Sequence, residues 1–481
     1  MPAPATRFSA DRRSVLKRTG AAGLSLLLPA CSPPEPAQPV SDVPQDFADG
    51  ALRLHWRQWR AGGMERFTLE RLRFEGQWPE RKRPPLQRLD WGDYRLSVYD
   101  PEREALIFQQ GFDTDLSANT RSGTTQVSVR LPMPQRAVRV EIEKRRSASA
   151  FSVVSDVTID PQQDSVERAP REIVTQVDAI LAGGEPRSKV DLAILGDGYL
   201  EAEYRKFVQD AARAAGYLFS VEPLRKRRGD FTVHSVFTPS AASGVTDPYL
   251  GLRKDTVFGC AYYAGGSERS LGAGKPYAVR EAAAAVPYDF LLVLANARRY
   301  GGSAYFGGPA VVAIDSAAAR YLVIHEFAHA LGGLADEYYI PGGEGPVYAA
   351  GLEPWHPNVT VQQGEPKWRD LLTGGTEPTR WNKAEYERYF ADYVKRYHRL
   401  RESGVDEVVI EKFMEQERRR QAALLARNGK ERRVGLFEGA NGYAKGVFRS
   451  EADCIMFSLQ ADYFCAACSA AIERMIDEHC R

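Results

Sequence analysis

Two histidines four residues apart place the strongest constraint on how this chain can fold. His325 and His329 would lie one helical turn apart, so both imidazoles can project from one helix face toward a single metal ion. Glu326 follows the first histidine, where its carboxylate can act on a water molecule rather than on the metal. This spacing is typical of zinc hydrolases, although the bare pentapeptide also arises by chance in amphipathic helices.

The residues around this motif predict a strand, a helix and a sharp turn in succession. A short apolar strand is expected at residues 310–314, and helix-forming residues at 316–324 lead into the first histidine. Asp315–Ser316 offers an N-cap for this helix. Gly332–Gly333 follows the second histidine, where a left-handed turn would end the helix. The chain could then return a third ligand toward the metal.

The identity of that third ligand is the open question of the motif. In metzincin-type sites it stands ten residues after the first histidine, but here Ala335 occupies that position and cannot ligate. Asp336 is therefore the predicted ligand, with Glu337 as the alternative. Catalytic zinc usually keeps three protein ligands and leaves a fourth position for water, so one carboxylate is enough.

A segment far downstream is consistent with a metzincin-like site. Metzincins carry a methionine in a tight turn below the metal. Residues 453–458 contain Met456 beside Cys454 and resemble such a Met-turn. A core methionine next to a cysteine explains this segment equally well when it is taken alone.

The composition is that of a globular enzyme. The chain has 481 residues, of which 43% are hydrophobic and 26% charged, and its net charge is +1. This length is ample for two or three hydrophobic cores. A nearly neutral chain gives no electrostatic basis for binding nucleic acid or an anionic membrane surface.

The amino terminus predicts export and lipidation. Arg12–Arg13 precedes an apolar run and resembles a twin-arginine signal, and Leu28–Cys31 resembles a bacterial lipobox. We therefore expect residues 1–30 to be removed as a signal and Cys31 to be lipidated. The protein would then be an exported lipoprotein of a bacterial cell envelope, facing the periplasm or the cell surface, with the lipid as its only membrane contact. An ordinary secretory signal with an incidental cysteine is the alternative. Residues 31–45 form a Pro-rich tether.

The rest of the chain shows two successive patterns. Residues 46–165 contain short alternating runs between turn residues, which predicts an antiparallel β-sandwich of about seven strands. Residues 166–481 follow an α/β pattern, with buried strands expected at 189–195, 231–237 and 289–295. The predicted fold class is therefore an α/β (α+β) metzincin-like domain preceded by an antiparallel β-sandwich domain.

Two segments of the second domain have alternative interpretations. A charged insertion at about 380–432 predicts two helices, at 382–403 and 405–428. A solvated helical hairpin is the simpler interpretation, and a lid that gates the substrate is the alternative. The Gly-rich loop at 300–308 is either beside an edge strand that receives an extended substrate or an ordinary hairpin.

The cysteines give a partial argument about oxidation. Besides Cys31 there are Cys260, Cys454, Cys465, Cys468 and Cys480. The C-x-x-C spacing of Cys465 and Cys468 suits redox chemistry, structural zinc or disulfides, and no second such pair is present. In an oxidising envelope we favour a disulfide from Cys454 to one of this pair.

Taken together, these features resemble the IgA-specific metallo-endopeptidase family, which are metzincin-like zinc peptidases. The similar segments are 92–100, 159–161, 194–203, 219–223, 231–245, 300–303, 325–339 and 435–468. The resemblance covers most of the mature chain. It implies an endopeptidase that acts on proteins or peptides, with Zn²⁺ held by His325, His329 and Asp336. Glu326 would then be the catalytic base. It does not imply cleavage of IgA, because family membership alone cannot identify a substrate.

Two other functions would use the same residues. An envelope zinc amidase acting on cell-wall peptides would share every ligand. A non-catalytic lipoprotein would keep the zinc fold as a binding scaffold, but such a scaffold has no need of Glu326. Tyr338 and Tyr339 are candidates for stabilising an oxyanion, although buried structural tyrosines are the simpler interpretation.

Overall fold

A computed structural model describes residues 46–76, 78, 89–119, 122–169, 173–341, 352–428 and 432–480. These residues belong to one compact unit. None of their helices combines the length and the apolar character needed to cross a bilayer. The predicted signal, the lipidated Cys31 and the tether all lie outside the described residues.

The amino-terminal part is built from strands in two facing sheets. Its elements are β1 (Phe47–Ala61), β2 (Met64–Glu75), β3 (Tyr94–Asp100), β4 (Ala105–Phe112), α1 (Asp115–Asn119), β5 (Gly123–Pro134), β6 (Val138–Arg145), β7 (Phe151–Ile159) and β8 (Val166–Glu167). The sheets have the strand orders β5-β1-β2-β8 and β4-β3-β6-β7. Alternate residues such as Leu54, Leu96 and Val140 are fully buried in one shared core. The predicted β-structure is confirmed: the described residues of 46–165 form the seven strands β1–β7, and the short β8 beyond them pairs parallel to β2.

The middle part is an α/β layer around a mixed sheet. Its elements are β9 (Gln176–Leu181), β10 (Val190–Asp197), α2 (Tyr204–Leu218), β11 (Phe231–Phe237), β12 (Cys260–Tyr262), β13 (Leu271–Ala273), α3 (Pro276–Ala283), β14 (Phe290–Ala295), β15 (Gly302–Ser303), β16 (Pro309–Ala313) and α4 (Ala319–Gly332). The sheet order is β15-β16-β14-β10-β11-β9. The four inner strands are parallel, and β15 and β9 are antiparallel edge strands. Every residue of β10 and β14 is buried, as parallel strands covered on both faces require.

The helix that carries the two histidines follows β16 directly, as the sequence predicts. It ends at Gly332, and Gly333 is left-handed with a φ of 57°. The predicted N-cap at Asp315–Ser316 is wrong. The helix begins at Ala319 with Ala318 as its N-cap residue, because residues 316–319 first form a tighter turn in which the Ala319 N–H donates to the carbonyl oxygen of Ser316.

The carboxyl-terminal part adds a small sheet and three helices. Its elements are β17 (Val359–Thr360), α5 (Lys383–Glu402), α6 (Glu407–Leu425), β18 (Phe437–Ala440), β19 (Tyr443–Arg449) and α7 (Ala466–Cys480). The sheet order is β17-β19-β18. The two helices predicted for the charged insertion are confirmed as α5 and α6. The face between them is buried instead of solvated, because aromatic side chains such as Tyr397 and Phe413 pack together there.

Candidate metal centre

The two histidines of α4 direct one nitrogen each toward a common point. His325 is 4% exposed, so its ring lies in the protein interior. The Nε2 atoms of His325 and His329 are 3.2 Å apart. The i and i+4 positions explain this, because they stack two side chains on one helix face.

Main-chain carbonyls orient both rings from the opposite side. His329 Nδ1 lies 2.6 Å from the carbonyl oxygen of Leu334. His325 Nδ1 lies 3.2 Å from the carbonyl oxygen of Ile455 and 3.0 Å from the hydroxyl of Tyr321. An Nδ1–H that donates to a carbonyl leaves Nε2 with its lone pair free for a metal. This is the tautomer that a pair of imidazole ligands needs.

The turn after α4 brings Asp336 to the same point. A side chain at Gly333 would lie 2.7 Å from the Trp355 ring, so only glycine fits this left-handed position. The side chain of Asn358 bonds both the N–H and the C=O of Ala335. Asp336 Oδ1 consequently lies 3.0 Å from His325 Nε2 and 3.2 Å from His329 Nε2. Two imidazole nitrogens and one carboxylate oxygen at these separations fit a divalent metal ion with an open position.

Glu337 lies elsewhere. It is fully buried, and its Oε1 atom is 3.2 Å from the sulfur atoms of both Cys465 and Cys468. Of the two carboxylates that the sequence left as alternatives, Asp336 is the one beside the histidines.

Glu326 lies on the same helix with its carboxylate against the edge strand. Its side chain is largely buried, and burial raises its pKa, an effect that His325 and His329 partly oppose. A Cβ atom at Gly302 of β15 would lie 2.7 Å from Glu326 Oε1. The position of this carboxylate thus depends on a glycine that the metal-binding pattern did not single out.

Two cavities meet at this cluster and together form a cleft. The first, of about 560 Å³, is lined by His325 and Glu326 and by aromatic side chains of α5. The second, of about 580 Å³, is lined by His329 and Asp336 and by acidic side chains of the β-sandwich. These acidic side chains are Asp93, Asp113 and Asp115. No local sequence pattern predicts this contribution, because these residues lie in turns and a short helix more than 200 positions from the histidine helix.

Asp93 and Asp113 lie close together in the acidic cavity. Asp113 Oδ1 accepts a hydrogen bond of 2.7 Å from the main-chain N–H of Asp93. Burial and the neighbouring Asp93 raise the pKa of Asp113 well above its usual value.

The outer edge of β15 is already occupied. The N–H of Gly302 donates to the carbonyl oxygen of Arg269 at 3.1 Å, and Ser270 bridges to Gly302 as a parallel neighbour. An extended peptide therefore cannot pair with Gly302 as an added strand unless this segment moves. Of the two interpretations of the Gly-rich loop, simple strand addition at Gly302 does not fit the structure.

The remaining predicted residues fall into clear positions. Tyr338 is 40% exposed and lines both cavities, whereas Tyr339 is fully buried. Met456 is buried in a turn whose neighbour Ile455 contacts His325. His356 lies below the glycine turn, with its Nδ1 atom 2.8 Å from the carbonyl oxygen of Gly333.

The expected disulfide is not present in the structure. None of the cysteines in the described part of the chain forms a disulfide bond. The sulfur atoms of Cys454 and Cys468 are 3.8 Å apart, so these two predicted partners lie close together without a bond between them.

Comparison with known proteins identifies the family of this chain. The sequence model of the IgA peptidase M64 family matches residues 179–476, and that of the peptidase M64 N-terminus matches residues 42–155. No curated protein is similar enough to this chain to count as a match. The first of these matches spans more than half of the chain and contains the histidine helix, Asp336 and the Met456 turn. This chain is therefore a member of the IgA peptidase M64 family of metallopeptidases.

Proposed function

We propose that this peptidase is a zinc-dependent endopeptidase whose metal is held by His325, His329 and Asp336. Glu326 is its general base. The observation that carries the proposal is the approach of two Nε2 atoms and one carboxylate oxygen to within 3.2 Å of one another at the junction of two cavities. Three such ligands suit catalytic zinc, which keeps one position for water or substrate.

The side chains beside the proposed metal ion carry out the proton transfer and stabilise the developing charge. Zinc, when bound, acts as a Lewis acid that lowers the pKa of a water molecule toward neutrality and polarises the scissile carbonyl. Glu326 accepts a proton from the attacking water and delivers it to the leaving amine. Tyr338, exposed on the cleft next to Asp336, offers its hydroxyl group to the developing oxyanion.

The shape of the cleft supports an endopeptidase. The aromatic and the acidic cavities lie on either side of the proposed metal, so a polypeptide can extend away from the scissile bond in both directions. The helix, the glycine turn at Gly333 and the turn at Met456 agree with a metzincin-like arrangement, which we include in the proposal. Export as a lipoprotein through Cys31 is a further part of it, and rests on the sequence alone.

Replacing the proposed base tests this function directly. We expect Glu326→Gln to keep its zinc and to lower kcat by about 10²–10⁴-fold, because the amide cannot take up the proton. The measurement is zinc content by mass spectrometry beside cleavage of unfolded casein, with and without a chelator. Glu365→Gln is a matched control, because this carboxylate is 77% exposed and pairs only with Arg369 among the ion pairs of the described residues.

The same assay separates the alternatives. Cleavage of muropeptides without cleavage of casein would replace the endopeptidase by a cell-wall amidase. Zinc without hydrolysis of either substrate would leave a binding scaffold. A zinc-loaded Glu326→Gln protein with full activity would remove Glu326 from the role of base.

A further inference from the structure

A second group of metal-binding side chains lies outside the histidine site. Its members, named here the cysteine cluster, are Glu337, Cys454, Cys465 and Cys468. All four residues are 0% exposed, and one ligand atom from each lies within 4.8 Å of the others. The turn after α4 supplies Glu337, and two neighbouring segments far downstream, the Met456 turn and the start of α7, supply the cysteines.

The distances within the cysteine cluster are those of ligands around one tetrahedral ion. Zinc–sulfur bonds of about 2.3 Å at the tetrahedral angle place two sulfur atoms about 3.8 Å apart. The sulfur atoms of Cys454 and Cys468 are 3.8 Å apart. A sulfur and a carboxylate oxygen on zinc would be separated by about 3.5 Å, and Glu337 Oε1 lies 3.2 Å from Cys465 and from Cys468.

Main-chain donors point at the sulfur atoms, as they do around metal-bound thiolates. The N–H groups of Met456 and Cys465 lie 3.4 Å and 3.2 Å from the sulfur of Cys454. The N–H of Cys468 lies 3.4 Å from the sulfur of Cys465. Such contacts stabilise negative charge on sulfur, and thiolate is the form that binds a metal.

A disulfide in the cysteine cluster would not explain why the carboxylate of Glu337 is buried beside the sulfur atoms. Its Oε2 atom is buried and has no hydrogen-bond partner among the described residues. Asn358 donates to Oε1 at 3.2 Å and fixes the carboxylate toward the cysteines. The positive charge of the buried Arg449 offsets part of the cost of burying this carboxylate. A disulfide between two of the cysteines would add no further positive charge, whereas a bound cation would.

We propose that the cysteine cluster binds a second zinc ion, with a structural role. Zinc displaces the three thiol protons to solvent and gains three sulfur ligands and one carboxylate oxygen, which closes a four-coordinate site. This inference goes beyond the proposed function and does not depend on a metal at the histidines.

The second zinc would hold both flanks of the first site. Glu337 follows Asp336 in the chain, and its N–H donates to the carbonyl oxygen of Met456 at 2.7 Å. In the same turn the carbonyl of Ile455 orients His325. A metal that joins Glu337 to Cys454 therefore fixes Asp336 and His325 relative to each other, and anchors both to α7.

A variant without the histidine site isolates the second ion. We expect the full-length protein to contain two zinc ions and His325→Ala/His329→Ala to retain one. X-ray absorption at the zinc edge of this double variant should give three sulfur neighbours at about 2.3 Å. Cys465→Ser in the same background should remove the remaining zinc, and Cys260→Ser, equally buried but outside the cysteine cluster, should not.

The outcomes that overturn the proposal are distinct from those that concern the first site. Loss of all zinc from His325→Ala/His329→Ala overturns it, as does zinc with only nitrogen and oxygen neighbours. An increase of two in the thiol count after reduction of the denatured protein identifies a disulfide and also overturns it. If Cys465→Ser does not fold, the absorption spectrum of the double variant decides by itself. If the full-length protein contains one zinc ion and the double variant retains it with sulfur ligands, the cysteine cluster binds zinc and the histidine site does not.

Discussion

At the scale of single residues, Gly302 governs the carboxylate of Glu326. A Cβ atom at position 302 would lie 2.7 Å from Oε1 and 2.9 Å from Cγ of Glu326, which is closer than side chains tolerate. Glu326 is only 8% exposed, so it has little free space into which it can move. The lack of a side chain at residue 302 therefore sets where the proposed base stands.

This contact predicts a selective loss of turnover. We expect Gly302→Ala to lower kcat about 10–100-fold with zinc content unchanged, because displacement of a general base by a fraction of an ångström disturbs proton transfer. Casein cleavage and metal content would be measured together. Gly216→Ala is the control, since its added Cβ has no atom within 4 Å. A Gly302→Ala enzyme with unchanged kcat would show that Glu326 adapts freely.

The residues of the site differ in how far sequence could predict them. Helix geometry alone relates His325 to His329, and their nitrogens meet as the spacing requires. Helix geometry could not predict which of Asp336 and Glu337 lies beside the histidines. This choice depends on Asn358, whose hydrogen bonds hold Ala335 from a loop more than twenty positions away. No local pattern encodes such a contact.

At the scale of elements, α5 and α6 form one wall of the cleft. Their charges predicted a solvated pair of helices, but tyrosines of α5 line the aromatic cavity beside His325. These residues are Tyr386, Tyr389, Tyr393 and Tyr397. They recur every three or four positions, a spacing that places them on one face of the helix. The many charged residues between them made this apolar face hard to recognise in the sequence. Tyr393 also stacks on Phe413 of α6, with ring centroids 5.8 Å apart.

An aromatic wall predicts a preference for large apolar substrate residues. We expect Tyr393→Ala to reduce cleavage beside such residues about tenfold relative to cleavage beside small ones, because the apolar contact is lost. The check is to sequence the casein fragments released by each variant and compare their termini. Lys395→Ala, exposed on the same helix, is the control. An unchanged distribution of cleavage sites would exclude α5 from specificity.

At the scale of the whole molecule, the β-sandwich and the α/β layer share buried ionic contacts. Arg73 of β2 bonds Glu281 of α3 at 2.7 Å, and Arg130 of β5 lies over the ring of Tyr288 at 3.7 Å. The sandwich also supplies Asp113 to the acidic cavity. The two fold patterns were readable from hydrophobic periodicity, but these contacts were not, because they join positions up to about 200 residues apart.

One buried pair near this junction links stability to pH. Asp191 is the second residue of β10 and is 1% exposed, and Asp289 accepts a 2.7 Å hydrogen bond from the main-chain N–H of Asp191. Burial, followed by the charge of Asp289, raises the pKa of Asp191, and Arg130 partly opposes this. Burial also raises the pKa of Asp289, against the positive charges of His479 and Arg130.

This pair predicts that the protein loses stability as the pH rises from about 4 toward neutrality. A carboxyl group with a raised pKa binds its proton more tightly in the folded state, so the stabilisation is complete below the unfolded pKa of about 3.9 and declines above it. Asp191→Asn stays neutral, and we expect it to raise the urea midpoint at pH 8 and to flatten the decline between pH 5 and pH 8. Asp255→Asn, whose side chain is 85% exposed, should leave both unchanged. Parallel profiles of the urea midpoint against pH for Asp191→Asn and the unmodified protein would contradict this prediction. They would mean that neighbouring charges already neutralise the buried pair.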